Sequence, residues 1–345
     1  MPEPRADLPE APRRGADPRV AVVGVGHLGQ HHARIYKELG VLTAVADTRP
    51  ERAAEIAGPL GVPVVADWRE LVGKVDAVSV AVPTVAHHEV ASVFLKAGIP
   101  CLVEKPLAKT LAEGEELCRL AREKGVALAV GHVERFNPAT AAILDVVKKP
   151  RFIEVHRLSP FRFRSSDIDV VMDLMIHDLD IVLHLAKSPL ARVDAVGMSL
   201  LFGQEDIANA RLEFEDGCVA NLTASRISDK TMRKTRVFSE DCYVTVDTLA
   251  KEAWIYRTTP QLASALVKMP KDRDLSLADL AQIPKEFYSI EQVKLVEEEP
   301  LKAELRSFLD SVRNRTEPVV SGDHGVRAMR AAETILKEMR AHRWK

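Results

Sequence analysis

The sequence predicts an α/β protein in two parts: a doubly wound parallel sheet, then an α/β domain with an antiparallel sheet. Three observations predict this. Short apolar strands alternate with amphipathic helices from Arg19 to His132, and the first strand runs into a glycine-rich turn that opens a helix. Beyond residue 150, short segments alternate polar and apolar residues instead. A chain of 345 residues is long enough for two cores. The expected boundaries are a tail over 1–18, a first domain over 19–133 and a second over 134–345.

The opening "MPEPRADLPEAPRRGADP" is rich in Pro, Arg and acidic residues and has no apolar core, so it reads as a disordered extension and not a secretory signal. Arg13 and Arg14 read as solvated charges. From Arg19, "RVAVVG" is a buried strand, and "GVGHLGQHHARIYKEL" is a turn opening into a helix. Gly24, Gly26 and Gly29 fit G-x-G-x-x-G: one permits the tight turn, one lets the backbone approach a pyrophosphate, and one lets helix and strand pack. The helix N-terminus then offers N–H groups to phosphate. The strand "VLTAVAD" ends at Asp47, near the distance at which a dinucleotide fold needs an acid on the ribose. Asp47 favours NAD over NADP, because a carboxylate accepts from a ribose 2′-hydroxyl and repels a 2′-phosphate. Arg49 is the residue that could reverse this preference. The first domain is therefore expected to bind a dinucleotide, with His27, Leu28, Thr48 and Arg49 at the same edge.

Alternation continues through helix "PERAAEIAGPL", strand "VPVV", helix "DWRELV", strand "VDAVSVAV", helix "AHHEVASVFLKAG", strand "PCLVEKP", helix "LAEGEELCRLAREKG" and strand "VALAVGH". Pro83, Thr84, Glu104, Lys105 and Pro106 fall at strand carboxyl ends, where such sheets bind ligands. "GHVERFNPATAAILDVV" reads as a connecting helix. Strands follow at "RFIEVHRLS", "RVDAVGMSLL", "DIANARLEF", "CVANLTASRI", "TRVFSE", "DCYVTVD" and "EAWIY", then a loop over 258–290 and two amphipathic helices.

Between the first two of these strands lies "DVVMDLMIHDLDIVLHL", an apolar helix carrying Asp173, His177, Asp180 and His184 on one face. Such groups are costly in an apolar segment unless paired or used. A metal site is disfavoured, since no third ligand cluster is evident nearby. For Asp180 and His184, core packing and function remain equally open, and Asp178 points elsewhere, towards a neighbouring loop.

Composition excludes several classes. With 48 basic and 50 acidic side chains the net charge is -2, so no basic field invites nucleic acid. The longest apolar runs are far too short for a bilayer. Four scattered cysteines, with no close pair, argue against a disulfide framework and suit a reducing cytoplasm.

With "GVGHLG", Asp47, "VPTVAHHEVA", "EKP" and "DLMIHDLD" in this order, the chain resembles the glucose–fructose oxidoreductase/inositol dehydrogenase/MocA family from Arg19 onward. The resemblance implies a Rossmann domain, a second domain with a large open antiparallel sheet, and NAD(P)-dependent chemistry at a hydroxyl-bearing carbon of a sugar or cyclitol. It implies that Asp173 and His177 face the nicotinamide beside Lys105. Hydride removal requires the hydroxyl proton to leave, so His177 suits a general base and Lys105 a stabiliser of the oxygen, with Asp173 orienting substrate. Which of His177 and Lys105 takes the proton first stays open. Glu104 would anchor Lys105 and line the nicotinamide pocket. His87 matches a family position beside the cofactor, or lies on the surface. Arg135 and Asn137 suit substrate or ribose contact, with helix capping by Asn137 the alternative. Arg162 and Arg164, in "SPFRFRSSD", suit a phosphate and a flat base, or an exposed basic loop.

Within the family, "GHVERFNP", "RLSPF" and "DLMIHDLDIVL" are most similar to the sugar-nucleotide 3-dehydrogenases, which oxidise the 3-hydroxyl of UDP-N-acetylglucosamine-type substrates. The alternatives are a dehydrogenase of a free sugar or cyclitol such as inositol, and a catalytically silent NAD-binding regulator. The resemblance also points to a homodimer or homotetramer built through the second domain's sheet, whose strands "CVANLTASRI" and "DIANARLEF" carry alternate apolar residues.

Overall fold

The computed structural model describes residues 17–161, 168–201, 203–259, 261, 262, 264 and 284–342. Arg13, Arg14 and nearly all of the expected tail lie outside the described residues, as do Arg162 and Arg164. The chain gathers into two compact units, Met1–Phe136 with Glu298–Ala331, and Asn137–Glu297 with Ala332–Lys345.

In the first unit, β1 (Val20–Val23), β2 (Leu42–Ala46), β3 (Val64–Val65), β4 (Ala77–Val80), β5 (Cys101–Glu104) and β6 (Leu128–Gly131) form one sheet in the order β3-β2-β1-β4-β5-β6. Every pairing is parallel. That order reverses direction between β1 and β4, where sheets of this kind open a ligand crevice at their carboxyl ends. Strands β1, β4, β5 and β6 are buried along their whole length, which is why they read as unbroken apolar runs.

The helices of this unit are α1 (Gly29–Glu38), α2 (Pro50–Leu60), α3 (His87–Lys96) and α4 (Leu111–Lys124). The sharpest boundaries are those of α4. Thr110 and Glu113 form a capping box at its start, and Gly125, at φ 64°, ends it in a left-handed turn. "DWRELV" forms only a single 3-10 turn, Trp68–Leu71, with the Asp67 side chain accepting from the Arg69 N–H.

The sequence places both terminal helices in the second domain, but the first of them, α7 (Pro300–Asn314), belongs to the first unit. Its stripe Leu305, Phe308, Leu309 and Val312 is buried in one core with Val20, Val22, Ile35, Tyr36 and Val45. Amphipathicity announced that α7 has a buried face, not which core receives it. The last helix, α8 (Gly322–Ala341), starts in the first unit and ends in the second.

In the second unit, β7 (Pro150–Leu158), β8 (Leu190–Met198), β9 (Ile207–Phe214), β10 (Val219–Ser225), β11 (Met232–Ser239), β12 (Cys242–Asp247), β13 (Glu252–Thr258) and β14 (Tyr288–Gln292) make one sheet, ordered β14-β13-β12-β11-β7-β10-β9-β8. The sheet is mixed rather than wholly antiparallel, because β7 and β10 pair in parallel. The chain reaches β10 from β7 through a helix and the β8–β9 hairpin, a connection long enough to bring it back in the same direction. Edge strand β14 begins in the stretch read as loop and pairs with β13. The expected connecting helix is a 3-10 turn, Val133–Phe136, followed by α5 (Pro138–Leu144). Asn137 and Pro138 impose that break, since the Asn137 side chain caps Ala139 N–H at 3.0 Å and Pro138 opens the new helix.

Helices α5 and α6 (Ile176–Ala186) pack on this sheet. Ile153, Val155, Ala208, Ala210, Leu212, Ala220, Leu222 and Ala224 are buried. The alternate positions of the same strands include Asn209, Arg211, Glu213, Asn221 and Thr223, so the apolar residues of β9 and β10 face the core, not the open side. The open side is apolar elsewhere. Phe152, Phe238, Tyr243 and Tyr256 form a row across β7, β11, β12 and β13, with ring centroids 5.8, 4.6 and 5.1 Å apart.

Candidate active site

The first unit gathers most of the expected cofactor residues along the carboxyl edge of its sheet. Gly24 follows β1 at φ 85°, and a Cβ there would lie 2.7 Å from the backbone of Ala81 and Val82. A Cβ on Gly29 would lie 1.8 Å from the Gly24 carbonyl oxygen. No other residue fits either place. A Cβ on Gly26 would meet nothing within 4 Å, so the turn presents open backbone on its outer side. Helix α1 begins immediately after it with no acidic side chain in its first turn, leaving its N-terminal end to an anion. The residues thus fit a dinucleotide diphosphate. His27 and Leu28 are exposed on the turn.

Asp47 follows β2. One carboxylate oxygen accepts the Val25 N–H at 2.9 Å and the other the Arg49 N–H at 2.9 Å, tying the glycine turn to the end of β2. The Arg49 guanidinium stands 3.5 Å from Asp47 with two-thirds of its side chain exposed, and Thr48 is exposed beside it. Arg52, which sequence reasoning missed, reaches back from α2 to the Val25 carbonyl at 3.0 Å and to Gln30 at 2.8 Å. In the sequence it looks like any surface arginine of an amphipathic helix.

At the ends of β4 and β5 stand Pro83, exposed, and Thr84 and Lys105, half-buried. His87 is not on the surface: it is 1% exposed, with Nδ1 2.9 Å from the Pro106 carbonyl and Nε2 2.9 Å from the Val82 carbonyl. It therefore joins the two strand ends, and burial lowers its pKa despite those carbonyls. Glu104 accepts the Lys105 main-chain N–H at 3.2 Å through Oε2 and the His32 ring at 2.9 Å through Oε1. Burial pushes the Glu104 carboxyl up, but the bond to and charge of His32, with Lys105, outweigh it and hold it below its ordinary value. His32 in turn meets Ser79 Oγ at 2.7 Å. The sequence signal for His32 was a lone histidine on the buried face of α1, beside Ala33, Ile35 and Tyr36. Arg135 is 3% exposed in the turn after β6.

In the second unit, the Asp/His helix is not uniform. Val171–Met175 is a π-helical turn, and α6 continues from Ile176. Such wide turns are rare and concentrate at functional sites. Exposure then divides the four-residue series. Asp173 and His177 are half-buried and accessible, and so is His184, whereas Asp180 is 1% exposed. Asp178 is buried against a strand rather than a loop: Arg157 of β7 binds it through two bonds of 2.8 and 2.7 Å. Asn137 lies at the start of this unit with its side-chain oxygen used as the α5 cap. Among the described residues, no group of three or more His, Cys, Asp or Glu side chains is placed to hold a metal ion.

The chain matches two family models: the oxidoreductase family with an NAD-binding Rossmann fold, over residues 18–132, and the GFO/IDH/MocA C-terminal domain, over 152–245. It is 37% identical over 315 residues to UDP-N-acetylglucosamine 3-dehydrogenase of Acidithiobacillus ferrooxidans, covering 91% of this chain and 95% of that one. A solved structure of that dehydrogenase superposes with a TM-score of 0.84 at 36% identity, covering 94% of this chain and 98% of the other. A myo-inositol dehydrogenase of Streptomyces leeuwenhoekii is 35% identical over 227 residues, 60% of this chain and 69% of its own. With both halves matched and the likeness running nearly end to end, the chain belongs to the GFO/IDH/MocA oxidoreductases and is an NAD-dependent dehydrogenase of that family.

Proposed function

We propose that this dehydrogenase oxidises the 3-hydroxyl of a UDP-N-acetylglucosamine-type sugar nucleotide to a 3-keto sugar. The observation that carries the substrate is the 37% identity to UDP-N-acetylglucosamine 3-dehydrogenase over 91% of the chain. NAD, when bound, would supply the hydride acceptor. The chain supplies the rest: His177 and Lys105 receive the hydroxyl proton and stabilise the oxygen, and Asp173 orients the sugar. Accessibility of Asp173 and His177 beside a buried Asp178 and Asp180 supports giving the first two this role. Arg162 and Arg164 hold the diphosphate. Asn137 meets the substrate through its amide nitrogen, since its oxygen is already a cap, and Arg135 does so from the turn after β6.

The inositol dehydrogenase relative favours a second reading, oxidation of a free cyclitol. Mixing the protein and NAD with UDP-N-acetylglucosamine or with myo-inositol, and following NADH absorbance, separates the two. Faster turnover of the sugar nucleotide is expected, and faster turnover of inositol overturns the substrate assignment. The enzyme self-associates through the open face of its eight-stranded sheet. It works in a reducing cytoplasm, in keeping with four buried, unbridged cysteines. No described helix is long and apolar enough to cross a membrane.

A further inference from the structure

Serine, histidine and carboxylate stand in line inside the first unit: Ser79 Oγ to His32 Nδ1 at 2.7 Å, His32 Nε2 to Glu104 Oε1 at 2.9 Å. That order belongs to nucleophilic catalysis when the hydroxyl is accessible. Here Ser79 and His32 are both 0% exposed, so no substrate carbonyl reaches the hydroxyl. The line must serve its other end, and that end is the main chain of Lys105, whose N–H donates to Glu104 Oε2 at 3.2 Å.

The polarity of the line follows from its groups. A carboxylate only accepts, so His32 Nε2 carries the proton it shares with Glu104, and the Ser79 hydroxyl meets Nδ1 on the other side of the ring. The Glu104 carboxylate thereby fixes the Nε2 proton, and Ser79 holds the ring from its other nitrogen. Gly131 sits opposite Glu104 in the β5–β6 ladder, and a Cβ there would come 2.8 Å from Glu104 Oε2. Three elements, α1, β4 and β5, contribute one group each, and the carboxylate they fix is adjacent in the chain to the lysine.

We propose that His32, set by Ser79, is a positioning residue for Lys105: it anchors the Glu104 carboxylate that holds the Lys105 main chain, and so fixes where the Lys105 ammonium stands at the sheet edge. This rests on the reading of Lys105 as a participant in proton transfer. A misplaced catalytic group loses rate while the cofactor still binds.

The test compares His32→Leu, His32→Gln and Ser79→Ala with the wild type in three measurements: steady-state kinetics, NADH affinity by fluorescence, and amide hydrogen exchange of the peptide containing Lys105. In His32→Leu, kcat is expected to fall tenfold or more, with NADH affinity and sugar KM within about threefold and Lys105 exchange at least tenfold faster. His32→Gln, which can still donate to Glu104, recovers most of the loss. Ser79→Ala shifts kcat in the same direction by less and stays assayable if His32→Leu fails to fold. Unchanged kcat or unchanged exchange in both His32→Leu and Ser79→Ala overturns the proposal. So does loss of NADH binding in parallel with kcat, unrescued by glutamine, since that marks a merely structural histidine. The exchange measurement needs no substrate. Faster exchange in a protein that turns over no sugar at all would therefore refute the enzymatic reading and leave the anchoring intact.

Discussion

At Asp47 a single carboxylate shapes the phosphate turn through the Val25 N–H and still keeps lone pairs for a ribose. A 2′-phosphate there would meet its charge, so the wild type is expected to bind NADH at least tenfold more tightly than NADPH. Asp47→Ala should narrow that gap while weakening NADH as well, because the turn loses its tether; fluorescence titration reads both. Tighter NADPH binding by the wild type would mean that Arg49 governs the site. At the reacting end, Lys105→Ala and His177→Ala should each lower turnover about a hundredfold, the usual worth of a positioned acid–base group, with NADH affinity changed much less. Near-normal turnover in His177→Ala would remove it from the proton-transfer pair. Gly24 and Gly29 were legible because their motif is local, with fixed spacings around a strand end, and Asp47 and Lys105 were placed at strand ends by the same local pattern. His32 was not, because its partners are 47 and 72 positions away and meet only once strand order is known. Asn137 was legible both ways, and the fold uses its oxygen as a cap.

Among the elements, the Asp/His helix carries the most information per residue. Its apolar period predicted a helix, and the intervals of its polar residues predicted a shared face. Its π turn at Val171–Met175 was invisible, since a one-residue insertion in a helix leaves no mark on composition. What pins α6 to β7 is the Arg157–Asp178 pair, with side chains 6% and 4% exposed. Removing one partner of such a pair strands a buried charge and costs about 3–5 kcal/mol. Asp178→Ala should therefore lower unfolding free energy by about that amount in denaturant titration, and lower kcat too because His177 is its chain neighbour. Replacing both residues by leucine should restore much of the stability, and if it does not, the site depends on more than an isolated ion pair. Strand periodicity located β7 to β13 well but missed β14, whose five residues "YSIEQ" are mostly exposed and alternate over too short a stretch to stand out. It also could not assign α7 to its unit, because an apolar stripe names a need for burial and not a partner.

At the scale of the molecule, the second unit presents an eight-stranded sheet with α5 and α6 packed on one face and, among the described residues, the other face open. Alternation in β9 and β10 suggested that those strands would be sticky, but their apolar residues line the core and their open positions hold Asn209, Arg211, Glu213, Asn221 and Thr223. Alternation specifies two faces without saying which is outward, and the packing of α5 and α6 decides it. The apolar open surface lies instead on β7 and β11 to β14, where the aromatic row continues to Ile290, 55% exposed and paired with Tyr256. Aromatic rings in contiguous array are the kind of surface that soluble proteins usually cover. Phe238 is itself 39% exposed, so charges placed there disturb the surface more than the core. The wild type is expected to be a dimer or tetramer in light scattering at micromolar concentration. Phe238→Glu with Tyr243→Glu should shift it towards monomer with secondary structure unchanged by circular dichroism, since two charges on each of two facing sheets would have to be desolvated together. Substituting Arg211→Glu and Asn221→Asp in the polar half should leave the mass unchanged. A wild-type monomer would mean that the open face stays solvated, and a loss of association from the polar pair alone would move the interface to the β8–β10 side.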